Sequence, residues 1–489
     1  MIWKDEFQAV VGRGGVTDDP KVLEGYAADN SYTAPRRPAL VVSPATRDEV
    51  IAVVKLAHAK DVKLVPVSSG PPHLRGDTIP AVKDAVIVDL SRMKRIEWIN
   101  RRNRVACVEP GVTFDQLQRE LERQGMRAMI PLCPRGNKSI IGAYMEREPF
   151  TVPKYAWDLG DPIASSELII GDGTMVRTGG GQGPGKTFED QRKVGGAHKL
   201  PISAMFMDLR RIAQGSQGSF AICTWAALRC ELLPQEEKIF FAGSDDIARL
   251  VEASKRFQYL RLLDENYLLS GLNFACLVEK DPAGITELHK RLPAWVLVTS
   301  IAGRGRRPAD EFAYKIADTR EEAQKLGISL QEEMGGISEG EYRAKVLRRS
   351  SGDAFWKTRY KGDCREVFFL TTMSRTPEFI GAMRETAKSH GIDPAEVGVY
   401  LQMVIQGTAC HCEFDLFTSP EKAASIRTFH DELSRKVYAL GGFYSRPYGI
   451  WSDLVYPDSE VFVKYARGLK KIFDPHTVLN PGKLCFKEM

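Results

Sequence analysis

The stretch Ser139–Thr178, SIIGAYMEREPFTVPKYAWDLGDPIASSELIIGDGTMVRT, does most to limit what this chain can fold into. It opens on Ile141-Gly142-Ala143, where small residues let a backbone run close against a ligand. A segment bearing Tyr155 and Trp157 follows, and Pro149 and Pro153 break it too often for a helix. A hairpin closes the stretch: Leu168-Ile169-Ile170 and Met175-Val176-Arg177 flank the turn Gly171-Asp172-Gly173. A loop, a broken aromatic segment and a two-stranded ribbon cannot bury a core among themselves. They read as walls around something large and flat.

The rest of the chain supplies what such walls need. At 489 residues and 43% hydrophobic content, two or three domains with sizeable cores are expected. The 68 basic and 63 acidic residues are interleaved, which argues against nucleic-acid binding. No apolar run approaches the roughly 18 residues of a membrane span. The start, MIWKDEFQAVVGRGG, lacks an apolar signal core, and the nine cysteines are irregularly spaced. Reduced thiols and a cytoplasmic location are therefore expected.

Before the opening stretch the pattern is a small α+β unit. Leu40-Val41-Val42 reads as a strand. Thr46 and Glu49 fit a capping box ahead of a helix carrying Val50, Val54 and Ala57 on one face. Thr113 and Gln116 repeat the signal before Leu117 and Leu121. A strand at Val62–Ser68 runs into Ser69-Gly70-Pro71-Pro72-His73-Leu74-Arg75-Gly76. Small hydroxyl residues and glycine after a strand can aim backbone N–H groups at an anion, or can simply make a polar turn. Downstream, Gly215-Ser216-Gln217-Gly218-Ser219-Phe220-Ala221-Ile222 again allows close backbone approach.

From about residue 236 the character changes. Helices are expected at Asp245–Phe257 and Pro308–Leu326, and strands at Trp295–Ile301 and Val367–Thr371. The basic residues of Gly335–Lys361 read as solvated surface. In Ala409–Phe417, alternation puts Cys410, Cys412, Phe414 and Leu416 on one face and His411, Glu413 and Asp415 on the other. Either the second face is wet, or it points into a cavity. A Cys-His-Cys metal site is disfavoured because period two separates the thiols from the imidazole, so no metal is expected. A helix over Ser419–Leu440 would bury Ile426, Phe429, Leu433 and Val437. The loop Phe443-Tyr444-Ser445-Arg446-Pro447-Tyr448-Gly449 holds two tyrosines and an arginine, more than a turn requires. Glu460–Phe473 reads as a final helix, ended by Asp474-Pro475.

Taken in order, several segments carry a family resemblance. They are the Pro66-Val67-Ser68-Ser69-Gly70 loop, Val-Glu-Pro-Gly-Val at 108–112, Ile-Gly-x-x-x-Glu-Arg at 141–147, the Gly-Asp-Gly hairpin, the 215–222 segment, and Leu479-Asn480-Pro481-Gly482-Lys483. The chain resembles the FAD-linked oxidases with the vanillyl-alcohol oxidase and p-cresol methylhydroxylase fold. That resemblance implies an α+β architecture with a PCMH-type FAD-binding domain from 1–235 plus 456–489. A cap over 236–455 would be an antiparallel sheet flanked by helices. Backbone groups at Ser68, Ser69, Gly70 and Gly76 would hold the pyrophosphate of FAD. Arg75 or His73 would compensate for the N–H groups that Pro71 and Pro72 lack. Gly111, Gly142, Gly215, Ser216, Gly218, Ser219 and Ile222 would line the rest, with Lys483 reaching back from the C-terminal turn. One branch of the family links its flavin to a histidine on the cap strand where His411 aligns. Non-covalent FAD is the favoured reading here, with that link kept open.

Within the family, Ile141-Gly142 through Arg147, then Tyr155 and Asp158, look most like the phenol-oxidising branch. Arg446 matches its phenolate-binding arginine. Ser445 stands where the neighbouring tyrosine would be, so Tyr444 or Tyr448 would supply the hydroxyl. Asp158 would assist proton transfer, and Tyr155 would contact substrate or pack the wall. The function implied is hydride transfer from a small aromatic substrate, a para-substituted phenol or aryl alcohol, to FAD. A 2-hydroxy-acid dehydrogenase and a flavin-carrying electron-transfer or catalytically degenerate protein are the alternatives. The expected partners are the small-molecule substrate and an electron acceptor, oxygen or a redox protein; a homo-oligomer is expected.

Overall fold

The computed structural model describes residues 3–153, 158–183, 187–194, 196, 198–202, 208–352 and 354–487. Three sheets organise them. The first runs in the order Val16–Thr17, Leu40–Val42, Val86–Asp89, Leu64–Val67, with the last three strands parallel. Parallel neighbours need a crossover, and the helix Arg47–Lys60 provides one between Leu40–Val42 and Leu64–Val67. Thr46 caps that helix by accepting the Glu49 N–H at 3.2 Å. The Glu49 carboxylate accepts from Ala45, at 2.7 Å, one residue earlier than a capping box places it. Val50, Val53, Val54 and Ala57 are fully buried against the sheet.

The second sheet is antiparallel, in the order Ile96–Asn100, Val105–Val108, Ile222–Arg229, Ile163–Ile169, Met175–Arg177. The last two form the expected hairpin, its turn closed by the Gly173 N–H donating to Ile170 O at 2.9 Å. The C-terminus stitches the two sheets together. Leu64 donates to Val478 O and Asn480 donates to Leu64 O, both at 2.7 Å. The buried Lys470 ammonium binds Asp474 at 2.5 Å and the carbonyls of Ser219 and Leu479 at 2.5 and 2.9 Å.

The third sheet has six antiparallel strands, in the order Glu236–Ser244, Trp295–Gly303, Asn266–Ser270, Val397–Val404, Ala409–Thr418, Asp363–Thr371. One face packs on helices Ile247–Tyr259, Pro308–Lys325, Thr376–Ser389 and Arg427–Ala439 through Phe257, Phe379, Leu433 and Val437. The other packs on Gly271–Val278 and Pro282–Arg291 through Leu272, Phe274 and Leu288. The central strands are therefore buried on both faces. Truncating a side chain such as the fully buried Phe414 to alanine would cost about 3–5 kcal/mol. Two expected helix starts move. Asp246 is an N-cap, accepting from Ala248 at 3.0 Å, so that helix starts at Ile247. The Ser419–Leu440 helix forms only over Arg427–Ala439, because among residues 420–425 only Ala423 has anything to bury.

Candidate active site

Between the six-stranded sheet and the two smaller sheets lies a continuous trough. Its inner part is lined by Ile141, Gly142, Gln217, Gly218, Ala221 and Ile222. Its outer part is lined by Ser68, Ser69, Arg75, His411, Glu413 and Arg446. Pro66, Val67, Ser68, Asp77 and Glu146 belong to both. The inner wall requires glycine at Gly218, which sits at φ +70°; a Cβ there would stand 2.5 Å from Pro66 Cγ. At Gly142 a Cβ would come within 3.0 Å of Ser68 Oγ.

The loop after Leu64–Val67 is clamped from outside. The Gly70 N–H donates to Asn137 O at 3.1 Å and the Gly76 N–H to Asp29 at 2.7 Å. Ser69 Oγ accepts from the Ser139 N–H at 3.0 Å. Arg135 donates to the carbonyls of Gly70 and Pro72, and Lys483 donates to those of Gly76 and Ile79, each at 2.7 Å for the lysine. Gly70 and Gly76 thus spend their amides inside the protein, so an anion in the trough would meet Ser68 and side chains first. Burial, with Arg135 and Lys138 nearby, depresses the His73 imidazole to about 3, and it stands neutral.

The other expected cofactor residues sort by this geometry. Gly142, Gly218 and Ile222 line the trough. Gly111 instead packs on main chain, its N–H donating to Met93 O at 2.7 Å. Gly215 donates to Met145 O at 2.7 Å and Ser216 Oγ to Ala213 O at 2.7 Å, while Ser219 Oγ reaches Asn480 O at 3.4 Å. These shape the turn behind Gln217-Gly218 rather than its surface.

The outer trough is dense with buried charge. Arg75 binds Glu146 at 2.9 Å, Glu148 at 2.6 Å and Glu366 at 3.5 Å. Lys138 also binds Glu146 and Glu148, at 3.0 and 3.2 Å. Burial alone would raise the Glu148 carboxyl, but Lys138, Arg75 and Arg446 outweigh it and hold it well below the ordinary range. Lys357, only 6% exposed at its side chain, binds Glu366 and Glu413 at 2.5 Å and Asp415 at 3.0 Å. Those three carboxylates come within 4.8 Å of one another, a spacing a divalent cation could use among the described residues. The ammonium of Lys357 bridges them instead. Burial, then Glu413 and Glu366, push Asp415 up to about 7 against the pull of Lys357.

His411 stands at the end of this chain of charges, its Nε2 at 3.1 Å from Glu413. Burial depresses the imidazole, opposed by Glu413 and assisted by Arg446 and Lys357. Glu413 is held as a carboxylate by Lys357 and His411 against its own burial. A neutral imidazole bonded to a carboxylate through Nε2 carries its proton there, which leaves Nδ1 as the acceptor. Arg446 is 2% exposed and lies 4.1 Å over the Phe368 ring. Among the described residues, its Nε and Nη1 have no hydrogen-bond partner and no carboxylate lies within 4.0 Å of it.

The remaining expected residues divide. Tyr448 lies at the mouth of the trough, with the Arg75 guanidinium 5.8 Å from its ring. The Tyr444 hydroxyl donates to Ser434 O at 2.8 Å and its ring stacks on Trp451 at 4.9 Å, within the cap core. The Asp158 carboxylate is tied to Arg211 and to the Gly160 N–H, and it does not line the trough. Tyr155 lies outside the described residues. Lys357 contradicts the expectation of a solvated 335–361 segment. So do Arg343 and Arg348, which bind Glu237 at 2.6 and 2.7 Å. The preceding Phe355-Trp356 pair was the signal of burial there. The Cys410/His411 alternation holds with both faces buried, and the polar face turns His411 and Glu413 into the chamber.

A FAD-binding domain model matches residues 38–179, and a model of the C-terminal domain of FAD-linked oxidases matches residues 240–484. The chain belongs to the FAD-linked oxidase family, and FAD is its cofactor. It is 23% identical over 499 aligned residues to a probable mitochondrial D-lactate dehydrogenase of Danio rerio, covering 98% of this chain and 90% of that one. It is 24% identical to the glycolate oxidase subunit GlcD of Bacillus subtilis, covering 100% and 98%. Its fold superposes on p-cresol methylhydroxylase with substrate bound at a TM-score of 0.81 and 19% identity, covering 99% of this chain and 96% of that one. The glycine-lined inner trough, continuous with a charged outer chamber, suits a long dinucleotide with a flat end group.

Proposed function

We propose that this protein oxidises a small phenolic substrate held as its oxyanion on Arg446. FAD in the trough supplies the two-electron acceptor. The observation that carries the reading is the buried Arg446 guanidinium, which has two nitrogens without a hydrogen-bond partner among the described residues and lines the chamber with His411. A charge buried without a counter-ion is costly, and an anionic substrate removes that cost when it binds. Phe355, Trp356 and Tyr400 line the same chamber, and Phe368 packs beneath Arg446, which suits a flat aromatic ring. His411 Nδ1 accepts the substrate's hydroxyl proton, and Glu413, fixed by Lys357, stabilises the imidazolium that results. Arg446 then holds the oxyanion, and electron density from that oxygen, passed through the ring, assists loss of hydride from the benzylic carbon of the substituent para to it. The likeness to p-cresol methylhydroxylase supports this choice of substrate class.

A second reading has support from the sequence relatives, whose names specify D-lactate and glycolate. In it Arg446 takes the carboxylate of a 2-hydroxy acid and His411 takes the hydroxyl proton. Anaerobic titration of the purified protein separates the two. Bleaching of the flavin by p-cresol or para-ethylphenol, and not by D-lactate or glycolate, is the expected result. Bleaching by the hydroxy acids alone would overturn the phenolic reading.

A further inference from the structure

The chamber opens to solvent through a wide mouth that shares Leu74, Arg75 and Glu366 with it. Six Arg or Lys residues but only three Asp or Glu line this mouth. The three acids are committed: Glu366 to Lys357 and Arg75, Asp431 to His430 and Arg427, Asp453 to Lys487. Arg365, Arg435 and Lys483 remain. Among the described residues, Arg435 and Lys483 have no carboxylate within 4.0 Å, and Lys483 spends its protons on carbonyls.

Arg365 is the centre of this excess. Its side chain is nine-tenths buried, and only one of its three nitrogens is engaged, by Asp363 at 2.7 Å. Among the described residues, Nε and Nη1 have no hydrogen-bond partner. The guanidinium carbon lies 5.1 Å from the centre of the Tyr32 ring, with that of Arg427 5.6 Å from the same ring. Asp363 is itself anchored by Asn30 at 2.5 Å, so the fork is fixed before anything binds. A fixed guanidinium with open N–H groups on two of its edges can donate to the oxygens of a carboxylate or phosphate. Arg365 lines neither part of the trough, so the pyrophosphate of FAD does not account for it.

We propose that the mouth at Tyr32, Arg365 and Arg435 is a second anion-binding site, which takes a carboxylate or phosphate on the tail of the substrate whose reacting end lies at Arg446. The substrate is then an elongated molecule, acidic at its far end, and not a bare alkylphenol. The identity of the reacting end rests on the phenolic reading; the anion site itself does not.

Two measurements on the FAD-loaded protein test it. Calorimetric titration with inorganic phosphate is expected to show saturable binding to the wild type. Binding should weaken roughly tenfold or more in Arg365→Gln, less in Arg365→Lys and Arg435→Gln, and stay within about twofold in Arg446→Gln. No phosphate binding, or equal binding by the wild type and Arg365→Gln, overturns the site. Loss in Arg446→Gln alone places the anion in the inner chamber and also overturns it. The second measurement compares para-ethylphenol with para-hydroxyphenylpropionate. Arg365→Gln is expected to raise KM roughly tenfold for the acid-tailed phenol only, with kcat unchanged. Equal effects on both phenols refute the tail assignment. If neither phenol bleaches the flavin, the phenolic reading fails, and phosphate binding still decides the site.

Discussion

Replacing Lys357 with methionine removes the one cation that three buried carboxylates share. Its ammonium lies 2.5 Å from Glu366 and Glu413 and 3.0 Å from Asp415. Removing one partner of a buried ion pair costs about 3–5 kcal/mol, because the charge left behind has neither water nor a counter-ion. Asp415, already raised to about 7, takes up a proton first; Glu366 keeps Arg75 at 3.5 Å, so the variant relieves the remainder by protonating Glu413. Holding one glutamate protonated at pH 7 against an ordinary value near 4.3 costs about 3.7 kcal/mol, at about 1.36 kcal/mol per pH unit. The two routes agree on roughly 4 kcal/mol at neutral pH. The sign with pH follows. In the variant the folded state binds a proton that the unfolded chain releases above about pH 4.3, so its stability falls as pH rises from 4.3 through neutrality. If the 489 residues unfold together, the melting point drops by roughly 3–5 °C at pH 8 and by much less at pH 5. Lys357→Arg keeps the charge and should recover most of the loss. Thermal unfolding of FAD-loaded wild type and both variants at the two pH values is the assay. A Lys357→Met variant as stable as wild type at pH 8, or equally destabilised at both pH values, would refute this account of the network.

Arg446→Met should lower the rate of flavin reduction about 10²–10³-fold while leaving stability unchanged or slightly higher, since an unpaired buried charge is replaced by a side chain of similar volume; stopped-flow reduction and urea denaturation read the two effects. Gly218→Val, at φ +70° against Pro66, should destabilise by about 1–3 kcal/mol and lose flavin on gel filtration, whereas Gly14→Ala, with nothing within 4 Å, should not. His73 is held near 3 when folded and titrates near 6.5 when unfolded, so it makes stability fall as pH drops from 6.5 towards 3; His73→Asn should flatten that slope in chemical denaturation between pH 4 and 6.5.

The signals that were legible were local ones. Thr46 announced a helix start, Gly171-Asp172-Gly173 a hairpin, and Glu460–Phe473 a helix whose bounds are the ones found. The period-two pattern of Ala409–Phe417 correctly separated His411, Glu413 and Asp415 from the thiols. Charge was read less well. A lysine in a basic, polar segment looks solvated from its neighbours in sequence; the Phe355-Trp356 pair marks burial there, but nothing local points to carboxylates 9, 56 and 58 positions away. Tyr444 and Tyr448 were equivalent as letters, yet one donates to Ser434 inside the cap and the other faces the mouth.

By itself, then, the order of residues determined where a helix start and a hairpin turn fall and which strand faces are polar, because cap and turn chemistry and the two-residue repeat of a strand act between near neighbours. Only the tertiary structure decided which ions share a counter-charge and which guanidinium is left without one. Electrostatic pairing in a low-dielectric interior acts across space between segments hundreds of residues apart, as it does where Arg75 meets Glu366 and Asn30 meets Asp363.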